Sequence, residues 1–295
     1  MLKIIIDDIN LYKFFKKHKI SSKIFALSVQ KIEELTDPVL HSLAVSELQT
    51  PESPTKQTSP SRFHDIDKEL RGFLRADKQY KIHDMGVSNG ITSFELYRYL
   101  KTSNIDFRLY ISDKYNRVWS FRKGPVSLCL ANDHQLVCGD LFGIACMPSI
   151  SLKYFISNLL GKLLQSFLTH ESIAVAEKEL KEINLLFGPV QQLIANGEIE
   201  CINCDIFETR LNASFDIVRC MNLLNLAYFP KSKIRIAIDN VNLSLKEYGF
   251  LQIGRTLPNG VSTVSFYRKE RGSLRLIHEC NGGSELKSLI MEKSC

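Results

Sequence analysis

The stretch from Lys81 to Asp113 constrains this chain more than any other. Lys81-Ile82-His83-Asp84-Met85 reads as a short strand, which runs into Gly86-Val87-Ser88-Asn89-Gly90. Beyond Gly90 the apolar positions Ile91, Phe94, Leu96, Tyr97 and Leu100 fit one face of a helix, and Phe107 to Ser112 is a second strand that ends at Asp113. Strand, glycine turn, helix, strand is the opening of a parallel α/β sheet, in which ligands bind at the carboxyl ends of the strands. Glycine suits such a turn because it permits positive φ and lets the backbone approach a ligand with no Cβ in the way.

The later half repeats the rhythm. Glu198 to Cys204 and Phe215 to Cys220 read as strands, residues 231–246 as a helix, and Phe250 to Ile253 as a further strand. Val261 to Arg268 and Ser273 to Glu279 read as a closing antiparallel pair around a turn at Glu270 to Gly272. A chain of 295 residues, 44% hydrophobic and 24% charged, has room for one large α/β domain with an insertion, or for two domains. A net charge of +6 over that length is too mild to call for nucleic acid as a partner.

Eight cysteines are too sparse for a disulfide framework and are read as reduced thiols of a cytosol. Cys201-Ile202-Asn203-Cys204 has metal-knuckle spacing, but no second pair or paired histidines follow at zinc-site intervals. It is therefore read as alternate residues of a strand, and no metal is expected. Asp7 and Asp8 fall where a signal peptide needs its apolar stretch, which points to a cytoplasmic protein.

Around this frame the chain is less regular. Residues 9–47 read as short helices with a basic patch at Lys13, Lys16, Lys17, His18, Lys19 and Lys23, and residues 50–61, with three prolines among Ser and Thr, as a linker. Residues 124–147 resemble a hairpin with an extra strand. Residues 152–168 form a strongly amphipathic pattern whose Lys153 and Lys162 argue against a membrane span. That helix is read as docked on the core or as a lid, with peripheral membrane contact through 151–169 or a partner protein as the alternatives. Residues 171–186 read as another helix, closed by Gly188-Pro189.

The heptad Asp84-Met85-Gly86-Val87-Ser88-Asn89-Gly90 resembles the glycine-rich turn of class I S-adenosylmethionine-dependent methyltransferases, Asp/Glu-x-Gly-x-Gly-x-Gly, with Ser88 in place of the middle glycine. Asp113 ends the next strand 23 residues after Gly90, close to the roughly 20-residue interval at which an acidic residue meets a nucleoside ribose. Cys204-Asp205-Ile206-Phe207, followed by Phe215-Asp216-Ile217-Val218, is similar to the family's adenine-binding stretch; Asp205 would meet the amino group and Ile206 would cover the ring. Arg219-Cys220-Met221-Asn222 stands where chemotaxis-receptor methyltransferases have a comparable Cys-Arg-Asn-x-Leu run, which makes Arg219 and Asn222 candidates for substrate or cofactor contact.

The resemblance covers about Lys81 to Arg268. It implies a Rossmann-like α/β fold: a mostly parallel seven-stranded sheet with helices on both faces. To this are added an N-terminal helical region with its linker over 1–60, a methyltransferase-like domain over 61–295, and an insertion of about 114–197 between the second and third strands. It also implies S-adenosylmethionine as cofactor, bound by Asp84, Gly86, Ser88, Gly90, Asp113, Asp205 and Ile206. The implied activity is methyl transfer, and the apolar helix and hairpin of the insertion suggest a small hydrophobic or lipid-like acceptor. The alternatives are a protein methyltransferase and an inactive S-adenosylmethionine-binding protein. His134 and His170 are more readily surface histidines than general bases. The rival fingerprints of a nicotinamide dehydrogenase, a P-loop nucleotidase and a serine hydrolase are absent.

Overall fold

The computed structural model describes residues 4–18, 25–48, 58–131, 135–146, 159–163, 179–202 and 204–292. The chain divides into two compact units, Met1–Pro60 with Tyr115–Gly188, and Ser61–Lys114 with Pro189–Cys295.

In the first unit, β1 (Ile4–Ile6) and β2 (Phe25–Leu27) pair in parallel on either side of α1 (Ile9–Lys17). Asp8 caps that helix by accepting from the amides of Asn10 and Leu11, two donors left unsatisfied at a helix start. A 3₁₀ turn (Val29–Glu34) and α2 (Pro38–Ser46) follow. Further along the chain, β5 (Arg117–Lys123), β6 (Val126–Leu130), β7 (Leu136–Leu141) and β8 (Ile144–Cys146) form an antiparallel meander, and β9 (Lys181–Asn184) pairs antiparallel with β5. The sheet order is β2-β1-β8-β7-β6-β5-β9. Tyr12, Ile32, Val45, Val118 and Ile183 are buried together in its core.

Three expectations change here. The helical reading of 9–47 misses β2. The helix expected over 171–186 is not what its described end adopts: Lys181–Asn184 is a strand, because Ile183 fills the core opposite Val118 of β5 while Lys181 and Glu182 stay outside. Gly188-Pro189 opens a helix, α5 (Gly188–Ala195), rather than closing one; proline lacks the N–H that a first turn leaves unpaired anyway. Of the amphipathic 152–168 stretch, residues 159–163 are described and are helical. The rest of it, the linker up to residue 57, and His134 and His170 lie outside the described residues.

The second unit holds α3 (His64–Gly72), β3 (Gln79–Met85), α4 (Ile91–Thr102), β4 (Asp106–Ser112), β10 (Ile199–Cys201), β11 (Phe215–Met221), α6 (Lys231–Ser244), β12 (Leu245–Thr256), β13 (Ser262–Glu270), β14 (Ser273–Cys280) and α7 (Lys287–Met291). Its seven strands lie in the order β10-β4-β3-β11-β12-β13-β14. The first five are parallel to one another, and the last two add as an antiparallel meander. Every residue of β11 is buried, as a central strand covered on both faces demands. β10 is shorter than expected: Cys201 is its last residue and Cys204 falls beyond it, so the two do not alternate along one strand.

From β3 the chain moves outward to β4 and β10, then returns to β11 on the other side of β3 and continues to β12. The order therefore reverses between β3 and β11. In open α/β sheets the crevice at such a switch point, beyond the carboxyl ends of the strands, is where ligands bind. Here those ends are Met85-Gly86 and Met221-Asn222.

Candidate functional site

The turn after β3 is built from left-handed residues. Gly86 has φ +72°, Ser88 φ +57° and Gly90 φ +76°. A serine with positive φ is uncommon, and it holds here because its surroundings fix it. The amides of Gly86 and Val87 both donate to the carbonyl of Ser112, at 2.8 and 3.1 Å, so the turn is tied to the end of β4. The Ser88 amide then donates to Asp113 Oδ2 at 2.7 Å. Asn89, fully buried, accepts from the Ile91 amide at 3.2 Å through its Oδ1, just before α4. The structure thus brings Gly86, Ser88, Gly90 and Asp113 together. The Ser88 hydroxyl is buried and has no hydrogen-bond partner among the described residues.

Asp84 is placed differently. Its Oδ2 accepts from the Ser93 hydroxyl at 2.7 Å and from Arg219 Nη1 at 2.7 Å. Arg219 Nη2 donates to Asp67 Oδ1 of α3 at 3.0 Å, and the guanidinium lies 4.9 Å from the centre of the Phe63 ring. All three charged side chains are at most 4% exposed. Burial pushes the Asp67 carboxyl up to about 7, although Arg219 opposes the shift. Burial also works against the charge on Arg219, but Asp67 and Asp84 outweigh it and hold the guanidinium above its ordinary range. Asp84 and Arg219 are therefore members of a buried ion triad that locks α3 to the centre of the sheet.

Asn222, at the end of β11, has φ +57°. Its amide donates to the Gly254 carbonyl at 2.9 Å and its Oδ1 accepts from the Thr256 amide at 2.7 Å, so it fastens the end of β11 to the end of β12. Asp205 Oδ1 accepts from the Phe207 amide at 2.9 Å, and Oδ2 lies 3.2 Å from Lys114 Nζ. That ion pair draws the segment after β10 against the tip of β4, next to Asp113. Ile206 is 5% exposed, packs in the core of this unit, and its carbonyl accepts from Asn240 Nδ2 at 2.9 Å.

Three participants were not anticipated. Leu223 stands over the glycine turn: a Cβ at Gly86 would meet its Cδ1 at 2.7 Å. His83, buried with its ring 4.7 Å from that of Phe215, shares a 2.8 Å hydrogen bond with the Ser112 hydroxyl, and burial pushes its pKa down to about 4. Asp67 did carry a signal. It shares helical spacing with Phe63, Ile66 and Leu70, so a lone carboxylate sits in an apolar stripe, which calls for a buried cation opposite.

No protein-family model matches the chain, and no curated protein matches it. Solved structures do. A Haemonchus contortus phosphoethanolamine N-methyltransferase, in complex with phosphoethanolamine and S-adenosylhomocysteine, matches 83% of this chain at 10% identity and a TM-score of 0.35. The S-adenosylmethionine-dependent methyltransferase SibL matches 66% at 9% identity and a TM-score of 0.33. A protein of Pyrococcus horikoshii matches 79% at 13% identity and a TM-score of 0.36. The chain spans 32% and 36% of the length of the first two and 80% of the third. All three likenesses fall below 25% identity and below a TM-score of 0.5 and carry no argument about function. What its site does has to be read from its own residues.

Proposed function

We propose that the unit formed by Ser61–Lys114 and Pro189–Cys295 binds S-adenosylmethionine at the turn after β3 and passes its methyl group to a small-molecule acceptor. The observation that carries this reading is the Ser88 amide on Asp113 Oδ2 at 2.7 Å. It joins a left-handed turn and a carboxylate at the carboxyl ends of two adjacent parallel strands, beside the point where strand order reverses.

The residues fit the adenosyl half of such a ligand. Asp113 is half-buried at the tip of β4, the position from which a carboxylate accepts hydrogen bonds from ribose hydroxyls. The Ser88 hydroxyl is a buried polar group without a partner among the described residues, and such a group is normally satisfied by a ligand, water or ion. The ground over Gly86 is held by Leu223, a flexible side chain that must turn aside for a ligand tail to lie there.

S-adenosylmethionine supplies an already activated methyl on its sulfonium, so the protein's part is alignment and exclusion of water. Asp113 and the Ser88 backbone orient the ribose end. Gly86 and Gly90 let the main chain come close. Asp205, drawn beside β4 by Lys114, is left with the adenine contact, because Ile206 packs inward. Asn222 fastens the end of β11 to the end of β12 and Arg219 locks α3 to the sheet, so both act on the ligand only through that framework. Leu223 over Gly86 favours a second reading, a domain that binds the cofactor without turnover. Supplying radiolabelled S-adenosylmethionine with fractionated cell extract separates the two: label transferred to any fraction supports the enzyme, binding without transfer supports the second reading, and neither binding nor transfer removes both.

A further inference from the structure

Away from the glycine turn, three side chains with metal-ligating atoms converge where α3 meets the edge strand β14. His278 Nε2 lies 3.3 Å from Glu69 Oε2 and 3.6 Å from Cys280 Sγ. All three donor atoms lie within 4.8 Å of one another, the one such trio among the described residues. His278 and Cys280 are two apart on β14, a spacing that sends both side chains to the same face. Glu69 reaches them from the exposed side of α3.

We propose that Glu69, His278 and Cys280 bind one zinc ion. In a tetrahedral zinc site, metal–nitrogen and metal–oxygen distances of about 2.0 Å and a metal–sulfur distance of about 2.3 Å put the nitrogen about 3.3 Å from the oxygen and about 3.5 Å from the sulfur. The two separations from His278, 3.3 and 3.6 Å, are therefore close to the edges of such a tetrahedron. The donor set chooses the metal: a thiolate and an imidazole beside one carboxylate suit zinc, whereas magnesium and calcium want oxygen alone. Phe73 and Phe266, with ring centres 5.9 and 5.8 Å from that of His278, pack against the imidazole. Binding sends the Cys280 thiol proton to solvent and gives a site with no net charge, its fourth position left to water. The ion would clamp α3 to β14, and α3 is the helix that carries Asp67 to Arg219. This inference does not depend on what binds at the glycine turn.

The test uses the full chain, stripped with a chelator and titrated with zinc by calorimetry and with cobalt by absorption spectroscopy. One equivalent of zinc is expected to bind, and cobalt should show intense tetrahedral bands with a sulfur-to-metal charge-transfer band. Cys280→Ser should lose the charge-transfer band, and His278→Gln and Glu69→Gln should each weaken zinc binding by about tenfold or more. The double variant Cys201→Ser/Cys204→Ser, checking the other closely spaced cysteines, should bind as the parent does. No uptake by the parent overturns the proposal, as does undiminished uptake by Cys280→Ser or uptake lost only in the double variant. Should Cys280→Ser fail to fold, Glu69→Gln, altered on an exposed helix face, decides the matter by the same titration.

Discussion

Arg219 Nη1 donates to Asp84 Oδ2 at 2.7 Å in the core of the sheet, not at its mouth. A pair so buried is strongly destabilising to break, because the removed partner leaves a charge uncompensated. Arg219→Met should lower stability by about 3 to 5 kcal/mol, read by chemical denaturation. A variant as stable as the parent that has lost only ligand affinity would instead place Arg219 in the binding surface.

Leu223 stands on the ground that a ligand tail needs. Leu223→Ala should open it and raise the affinity for S-adenosylmethionine several-fold in calorimetric titration. A fall in affinity would mean that Leu223 is itself a ligand contact.

Gly86→Val should lose more than ligand binding. Gly86 has φ +72°, a region a β-branched residue strongly disfavours, and its Cβ would strike Leu223. The variant should lose about 1 to 3 kcal/mol of stability as well as ligand binding, and thermal unfolding of the unliganded protein would show it.

Two buried groups set opposite pH dependences. His83 falls from its ordinary 6.5 to about 4, so it withholds a proton that the unfolded chain takes up, and its contribution to stability is lost as pH drops through that window. Asp67 rises from 3.8 to about 7, so it holds a proton that the unfolded chain releases, and its contribution is lost as pH climbs between those values. Between about pH 4 and 6.5 the two slopes oppose each other. Asp67→Asn should remove one of them and make the protein lose stability more steeply on acidification. Denaturant midpoints at several pH values would check this, and an unchanged slope would contradict it.

The parallel strands and the glycine turn were legible because their signals are local: apolar runs ending in Gly86 or Asp113, and the regular spacing of Ile91 to Leu100. What stayed hidden depends on partners far along the chain. Lys181–Asn184 carries a helix-like mixture of charged and apolar residues and becomes a strand only because Arg117–Lys123 offers an edge. Ile206 has the sequence position of an adenine contact, yet Asn240 and the core claim it. Leu223 over Gly86 is a matter of side-chain direction, which motif spacing does not encode. Glu69 and His278, more than two hundred residues apart, meet only once α3 lies across β14.

Calorimetric titration of the parent protein and of Asp113→Ala with S-adenosylmethionine tests the central claim most directly. The parent should bind, and the variant should bind more weakly by about 1.5 to 3 kcal/mol, the range for hydrogen bonds to a charged group. No binding by the parent, or equal affinity in the two proteins, would contradict it.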